Sequence, residues 1–101
     1  MAGFPCRIRI INMPGTVMRA GSYQIEAQVE ILRPDLTLGF VMMHIAATGE
    51  LLRFAKKSAD RYVLTYQVPD GAPAGAYPVR IYATDERGAQ SESQRFTVRV
   101  V

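Results

Sequence analysis

Side chains that could perform nucleophilic or acid–base chemistry are scarce in this chain of 101 residues, which has one cysteine, Cys6, and one histidine, His44. Nucleophilic catalysis needs a serine or cysteine beside a histidine base. No G-x-S-x-G, phosphate-loop or H-E-x-x-H motif occurs. His44 lies in an apolar segment in phase with Met42, and Cys6 alternates with Ile8. Both are predicted to be structural, so we expect no enzymatic activity and no cofactor.

Acidic side chains are the other candidates, because calcium is bound by carboxylate and carbonyl oxygens that converge from several loops. Asp35, Asp85 and Glu86 lie in predicted turns that could meet at one end of a sandwich of two sheets. Two or three carboxylates form a weak site, and an aspartate in such a position also stabilises a turn through its own backbone. We predict no metal site and interpret these acids as turn residues, with a weak calcium site as the alternative.

The elements that position these residues are predicted to be β-strands, because apolar and polar residues alternate with a period of two. The clearest segment is residues 23–31, and further alternating segments cover residues 7–10, 61–68, 77–84 and 95–100. Each has one apolar and one polar face, which is typical of antiparallel strands that cover a core on one side. Residues 38–47 are apolar in both phases and are predicted to form another strand.

Residues 50–60 are ambiguous. Leu51, Leu52, Ala55 and Ala59 could form one side of a short helix, whereas Leu52 and Phe54 would alternate in a strand. We favour a strand, because the segment is short for a helix and its neighbours are strands.

Turn residues (Gly, Pro, Asn and Asp) separate the predicted strands at intervals of roughly ten residues. The count of about seven strands predicts an all-β, antiparallel β-sandwich that forms a single domain over residues 1–101. Arg7 and Arg9 are expected to lie across from Glu26 and Glu30.

Composition excludes several classes of protein. The chain is 49% hydrophobic and 21% charged, the balance of a globular domain. Twelve lysines and arginines against nine acidic residues give a formal net charge of +3. The sequence contains no cluster of like charges, so we expect no nucleic-acid partner. No apolar run is long enough for a membrane span, and no signal-peptide pattern occurs within this chain.

The second half of the chain contains a succession of motifs: a strand ending at Val68-Pro69, a Pro- and Gly-rich crossing to residues 75–77, and a strand closing at residues 83–88. This succession resembles the second half of a bacterial immunoglobulin-like domain, of the kind found in surface and secreted proteins. The resemblance covers residues 62–100 best. It implies an immunoglobulin-like sandwich, an extracytoplasmic location in the periplasm or at the cell surface, and a tyrosine corner in which the Tyr77 hydroxyl binds nearby backbone.

The chain departs from the antibody type of this fold, since it has no tryptophan and no pair of cysteines. Pro78 is also unusual in a strand that should be central, where proline is tolerated only near the strand start.

If the strands at Tyr77, Phe96 and Val41 share a sheet, as in that family, one outward face combines basic, aromatic and methionine side chains. Such a composition is enriched at protein interfaces. The residues concerned are Phe40, Met42, His44, Arg80, Tyr82, Arg95 and Arg99. We predict that this face binds a protein partner, a neighbouring domain or a second copy of the chain. The alternative is that the arginine stems only cover apolar surface.

The function expected from these features is that of a non-catalytic module in a larger extracytoplasmic protein, acting as a spacer or as a protein- or ligand-recognition unit. The alternative is a free-standing small accessory subunit or carrier-partner protein that binds another protein through a sheet face.

Overall fold

The computed structural model describes residues 5–33, 35 and 37–101. Within these residues it contains nine strands and no helix, so none of them forms a helix that could cross a membrane. The prediction of an all-β protein is confirmed. The strands are β1 (Cys6–Asn12), β2 (Thr16–Val17), β3 (Ser22–Ile31), β4 (Leu38–Ile45), β5 (Glu50–Arg53), β6 (Ala55–Lys56), β7 (Arg61–Gln67), β8 (Gly75–Asp85) and β9 (Gln94–Val100).

The strands form two sheets that pack face to face. One sheet has the order β1-β3-β7-β6 and the other has the order β2-β9-β8-β4-β5. All pairs are antiparallel except β2 with β9. The apolar residues of the alternating pattern meet between the sheets, and Ile25, Val41, Met43 and Ile81 are fully buried there. Burial of this apolar area is the main force that holds the two sheets together.

The ambiguous segment forms two short strands in different sheets, so the prediction of a strand is correct and the helical alternative is wrong. β5 pairs with β4, whereas β6 pairs with β7 of the other sheet. Phe54 lies at the crossing and is 5% exposed, and its amide donates to the carbonyl of Val41 at 2.8 Å. The buried ring explains why the chain changes sheets at this residue.

The tyrosine corner implied by the family resemblance is present, because the Tyr77 hydroxyl donates to the carbonyl of Pro73 at 2.6 Å. Pro78 lies inside β8, but its carbonyl accepts a hydrogen bond from Ala46 at 3.4 Å, just beyond the end of β4. The N–H and C=O groups of one strand residue point towards the same neighbouring strand. At Pro78 that neighbour is β4, which has already ended, so the N–H that proline lacks removes no hydrogen bond of the β4–β8 pair.

Candidate functional site

The seven residues predicted to form a binding face lie together on the outward side of the five-stranded sheet. Met42 pairs with Tyr82, and Arg80 lies between His44 on β4 and Arg95 on β9. Leu51 and Arg53 of β5 extend the same side, opposite His44 and Met42. We call this surface the arginine face, and define it by Phe40, Met42, His44, Leu51, Arg53, Arg80, Tyr82, Arg95 and Arg99.

Leu51 and Arg53 were not predicted to belong to this face, because the pattern of residues 50–60 does not show which sheet the predicted strand joins. The alternation within β5 would have identified both residues if the sheet to which that strand belongs had been known.

Two of the four arginines in the face pack on aromatic rings. The guanidinium carbon of Arg80 lies 4.9 Å from the ring centroid of Tyr82, and that of Arg53 lies 4.8 Å from the centroid of Phe40. Tyr82 is only 4% exposed, so it supports the face from below and offers little surface for contact. Arg95 and Arg99 are exposed and have no such aromatic partner among the described residues.

The arginine face carries unbalanced positive charge. The outward positions of β4, β5, β8 and β9 hold no acidic residue, and none of the four arginines forms an ion pair within the described part of the chain. The formal net charge of the whole protein is +3, from 12 basic and 9 acidic residues, and without these four arginines it would be −1. Exposed like charges on one surface raise the local concentration of anionic partners.

The outward side of the four-stranded sheet is different, because it holds two glutamates and each of them is paired with basic side chains. Glu26 accepts hydrogen bonds from Arg61 at 2.7 Å and from Lys57 at 3.1 Å. These two bonds lower the pKa of the Glu26 carboxyl. Glu30 pairs with Arg7 at 3.4 Å, as the sequence predicted.

The expected pairing of Arg9 with an acid does not occur in the structure. Arg9 lies opposite Gln28, and Glu26 lies opposite Asn12. The reason is the spacing: Arg7 and Arg9 are two residues apart on β1, whereas Glu26 and Glu30 are four apart on β3, so an antiparallel register that places Arg7 opposite Glu30 places Gln28 opposite Arg9.

A second feature is a partly open cavity of about 170 Å³ between the two sheets, at the end that carries residues 69–73. Its wall consists of five valines, three tyrosines, Ile45, Thr48 and residues of that crossing, and it contains no charged side chain. The tyrosines are Tyr23, Tyr66 and Tyr77.

The cavity has one polar corner. Tyr66 and Thr48, which both belong to its wall, donate their hydroxyl protons to Oε1 of Glu50 at 2.9 and 3.0 Å. The rings of Tyr23 and Tyr66 lie with centroids 5.6 Å apart. Burial, and then the nearby Glu50, raise the pKa of each of these tyrosines to about 12, so both hydroxyls stay protonated at neutral pH. This site could not be predicted from the sequence, because its wall comes from six strands and two loops that are distant in the chain.

Two of the three acids considered for calcium, Asp85 and Asp35, bond within their own loops. Oδ1 of Asp85 accepts the amides of Arg87 and Ala89 at 2.8 and 2.9 Å, and Asp35 pairs with Arg33 at 2.9 Å. Among the residues that the structure describes, no three acidic, histidine or cysteine side chains come together as a metal site would require. Asp85 is therefore a turn residue.

The single thiol is that of Cys6, which is partly buried on β1. Burial raises the pKa of Cys6, and a hydrogen bond with Ser91 opposes this effect. A thiol with a raised pKa is a poor nucleophile, which agrees with the structural role predicted for Cys6.

Comparison with solved structures identifies the architecture. The fibronectin(III)-like modules of Clostridium thermocellum CbhA match 96% of this chain with a TM-score of 0.67 at 16% identity. The SrpA adhesin from Streptococcus sanguinis matches 100% with a TM-score of 0.69 at 12% identity. The fold is an immunoglobulin-like β-sandwich. An endo-beta-1,4-mannanase from Thermotoga petrophila also matches, over 95% of this chain, with a TM-score of 0.70 at 10% identity.

The immunoglobulin-like domain spans only part of each of these proteins: 47% of the CbhA chain, 60% of the adhesin and 20% of the mannanase. No protein-family model and no curated protein sequence matches the present chain. At such low identities the matches establish the fold, so function has to be argued from this chain's own surfaces.

Proposed function

We propose that this immunoglobulin-like domain is a non-catalytic recognition module that binds an acidic protein segment through the arginine face. The observation that supports this most is the contrast between its two sheets. Four arginines without a carboxylate partner occupy one outward face, whereas the other outward face holds two glutamates that pair with its basic side chains. Guanidinium groups bind carboxylates through paired hydrogen bonds, so acidic side chains complement this face.

The alternative, that arginine stems only cover apolar surface, fits Arg53 and Arg80, which lie over aromatic rings. It does not account for Arg95 and Arg99, which are exposed. The face also exposes 48% of Phe40 and 54% of Leu51. Apolar side chains beside cations suit a protein partner in which acidic and apolar residues alternate, because a purely anionic polymer would leave Phe40 and Leu51 without apolar contacts.

We further propose that the domain belongs to a larger extracytoplasmic protein, in the periplasm or at the cell surface. Domains of this fold occur as modules in CbhA and within an adhesin, and they fill only part of those chains. Capture of the endogenous protein and measurement of its intact mass tests this proposal. A mass well above 11.2 kDa supports a module, whereas a mass near 11.2 kDa contradicts it.

Binding is tested with a fluorescent nonapeptide of three Glu-Glu-Leu repeats, measured by anisotropy at low and high salt. We expect Arg95→Glu and Arg99→Glu each to weaken binding roughly fivefold, because each loses one exposed ion pair and adds a repulsion. The matched control is Arg9→Glu on the opposite sheet, which makes the same charge change at an exposed site. Arg80 is left intact because it covers Tyr82.

Three results would contradict the proposal: an equal loss of binding in Arg9→Glu, unchanged binding in the two face variants, or equal affinity for a Lys-Lys-Leu peptide. Tighter binding of a heparin fragment than of the acidic peptide would overturn the choice of a protein partner. Because exposed charges are screened by salt, affinity for the acidic peptide should fall as ionic strength rises.

A further inference from the structure

The cavity at the end of the sandwich is separate from the arginine face and has different chemistry. We propose that it binds a small quaternary ammonium cation, of the size of choline, among the rings of Tyr23, Tyr66 and Tyr77. This site does not depend on the function proposed above, since no residue of the arginine face forms part of its wall.

The volume of the cavity sets the size of the ligand. An apolar cavity of about 150 Å³ holds a benzene molecule in another protein, and the present cavity is about 170 Å³. It therefore has room for about six or seven non-hydrogen atoms, and choline has about seven. It is too small for a lipid chain or a nucleotide.

The wall favours a cation with an apolar surface. Aromatic rings carry negative potential on their faces and attract cations, and tyrosine is one of the residues that form sites for quaternary ammonium groups. The five valines of the wall suit the methyl groups of such a cation. A primary ammonium is more strongly hydrated, so it loses more on entering a site of this kind.

The polar corner adds negative charge and only acceptors. The hydroxyl protons of Tyr66 and Thr48 point to Glu50, so their oxygens can offer the cavity lone pairs only. The carboxylate of Glu50 lies directly behind these two hydroxyls and no basic residue belongs to the wall, so the potential inside favours a cation.

The experiment compares choline with 3,3-dimethylbutan-1-ol, a molecule of nearly the same shape without charge, by titration of the intact domain in NMR. We expect choline to shift the amide signals of Tyr23, Tyr66 and Ala72 in a saturable way, with at least tenfold weaker binding of the neutral alcohol. Equal binding of both compounds overturns the proposed cation specificity, and no saturable shift at millimolar concentrations overturns the site itself.

Two variants locate the effect. Glu50→Gln keeps an oxygen acceptor for the two hydroxyls and removes the charge, so choline should bind about fivefold more weakly while the alcohol is unaffected. Ala72→Leu adds three carbons at the cavity wall and should abolish binding of both compounds. The control is Arg95→Glu, which should leave choline binding unchanged. An unchanged choline affinity in Glu50→Gln would contradict the role of the carboxylate, even if Ala72→Leu failed to fold.

Discussion

Ser91 offers the sharpest test of how the sandwich satisfies its buried backbone. It is 8% exposed, and its hydroxyl accepts the amide of Ala83 at 2.9 Å and donates to the carbonyl of Glu92 at 2.9 Å. Its own amide donates to the carbonyl of Ala83 at 2.8 Å. The pairing of β9 with β8 ends at Gln94, opposite Ile81. Ser91 therefore supplies the hydrogen bonds that a strand residue would otherwise make with the backbone of Ala83.

The substitution Ser91→Ala should destabilise the domain by about 2 kcal/mol. The hydroxyl is lost while the Ala83 amide stays buried, and an unsatisfied buried donor costs roughly 1–3 kcal/mol. A domain of this size has a total stability of about 5–15 kcal/mol, so the loss is a large share of it. The thermal midpoint should fall by roughly 8–16 °C.

Urea unfolding gives the change in free energy, and hydrogen exchange gives a local reading at the Ala83 amide, which should exchange faster in Ser91→Ala. The matched control is Ser93→Ala, because the Ser93 side chain makes no hydrogen bond in the described part of the chain. An unfolding free energy within about 0.5 kcal/mol of the wild type, with unchanged exchange at Ala83, would refute this account of Ser91.

Two further predictions concern charge and space. Glu26 has a lowered pKa in the folded state, so it adds stability above its unfolded pKa of about 4.3 and loses it as pH falls through the lowered value. Glu26→Gln should therefore be less stable than the wild type at pH 7, and pH-dependent thermal melts should show this difference shrinking as the pH falls through the lowered pKa of Glu26. A difference that stays constant with pH would contradict this. Gly39→Ala should lower the free energy of unfolding in urea by roughly 1–3 kcal/mol, because an added Cβ would lie 2.6 Å from the backbone oxygen of Asp85. The control is Gly71→Ala, which should unfold like the wild type because there is open space around Gly71. A neutral Gly39→Ala would show that this strand pair can move apart without cost.

The alternation of side chains predicted most of the fold, because a strand with one buried face must repeat every two residues. Residues 23–31 coincide almost completely with β3, and the seven residues assigned to one face lie on one face. The turns could also be predicted from neighbouring residues. Gly49 and Gly88 have positive φ angles of 74° and 89°, a conformation that glycine adopts in tight turns. These features depend on neighbours in sequence, so they can be read from the chain alone.

The change of sheet at Phe54 could not be predicted, since a short strand has the same pattern whichever sheet it joins. For that reason Leu51 and Arg53 were missed as members of the arginine face. The burial of Tyr82 was also unpredictable, because an outward position becomes covered only when a side chain such as Arg80 folds over it.

By itself, the sequence determined the class of the fold and the faces of its strands, both of which follow from residue type and local spacing. Only the tertiary structure decided where charge remained unpaired and where space remained unfilled. Both depend on contacts between residues that are far apart in the chain. Glu26 forms ion pairs with Lys57 and Arg61, and Glu50 accepts a hydrogen bond from Tyr66. Such contacts exist only after the two sheets have packed together.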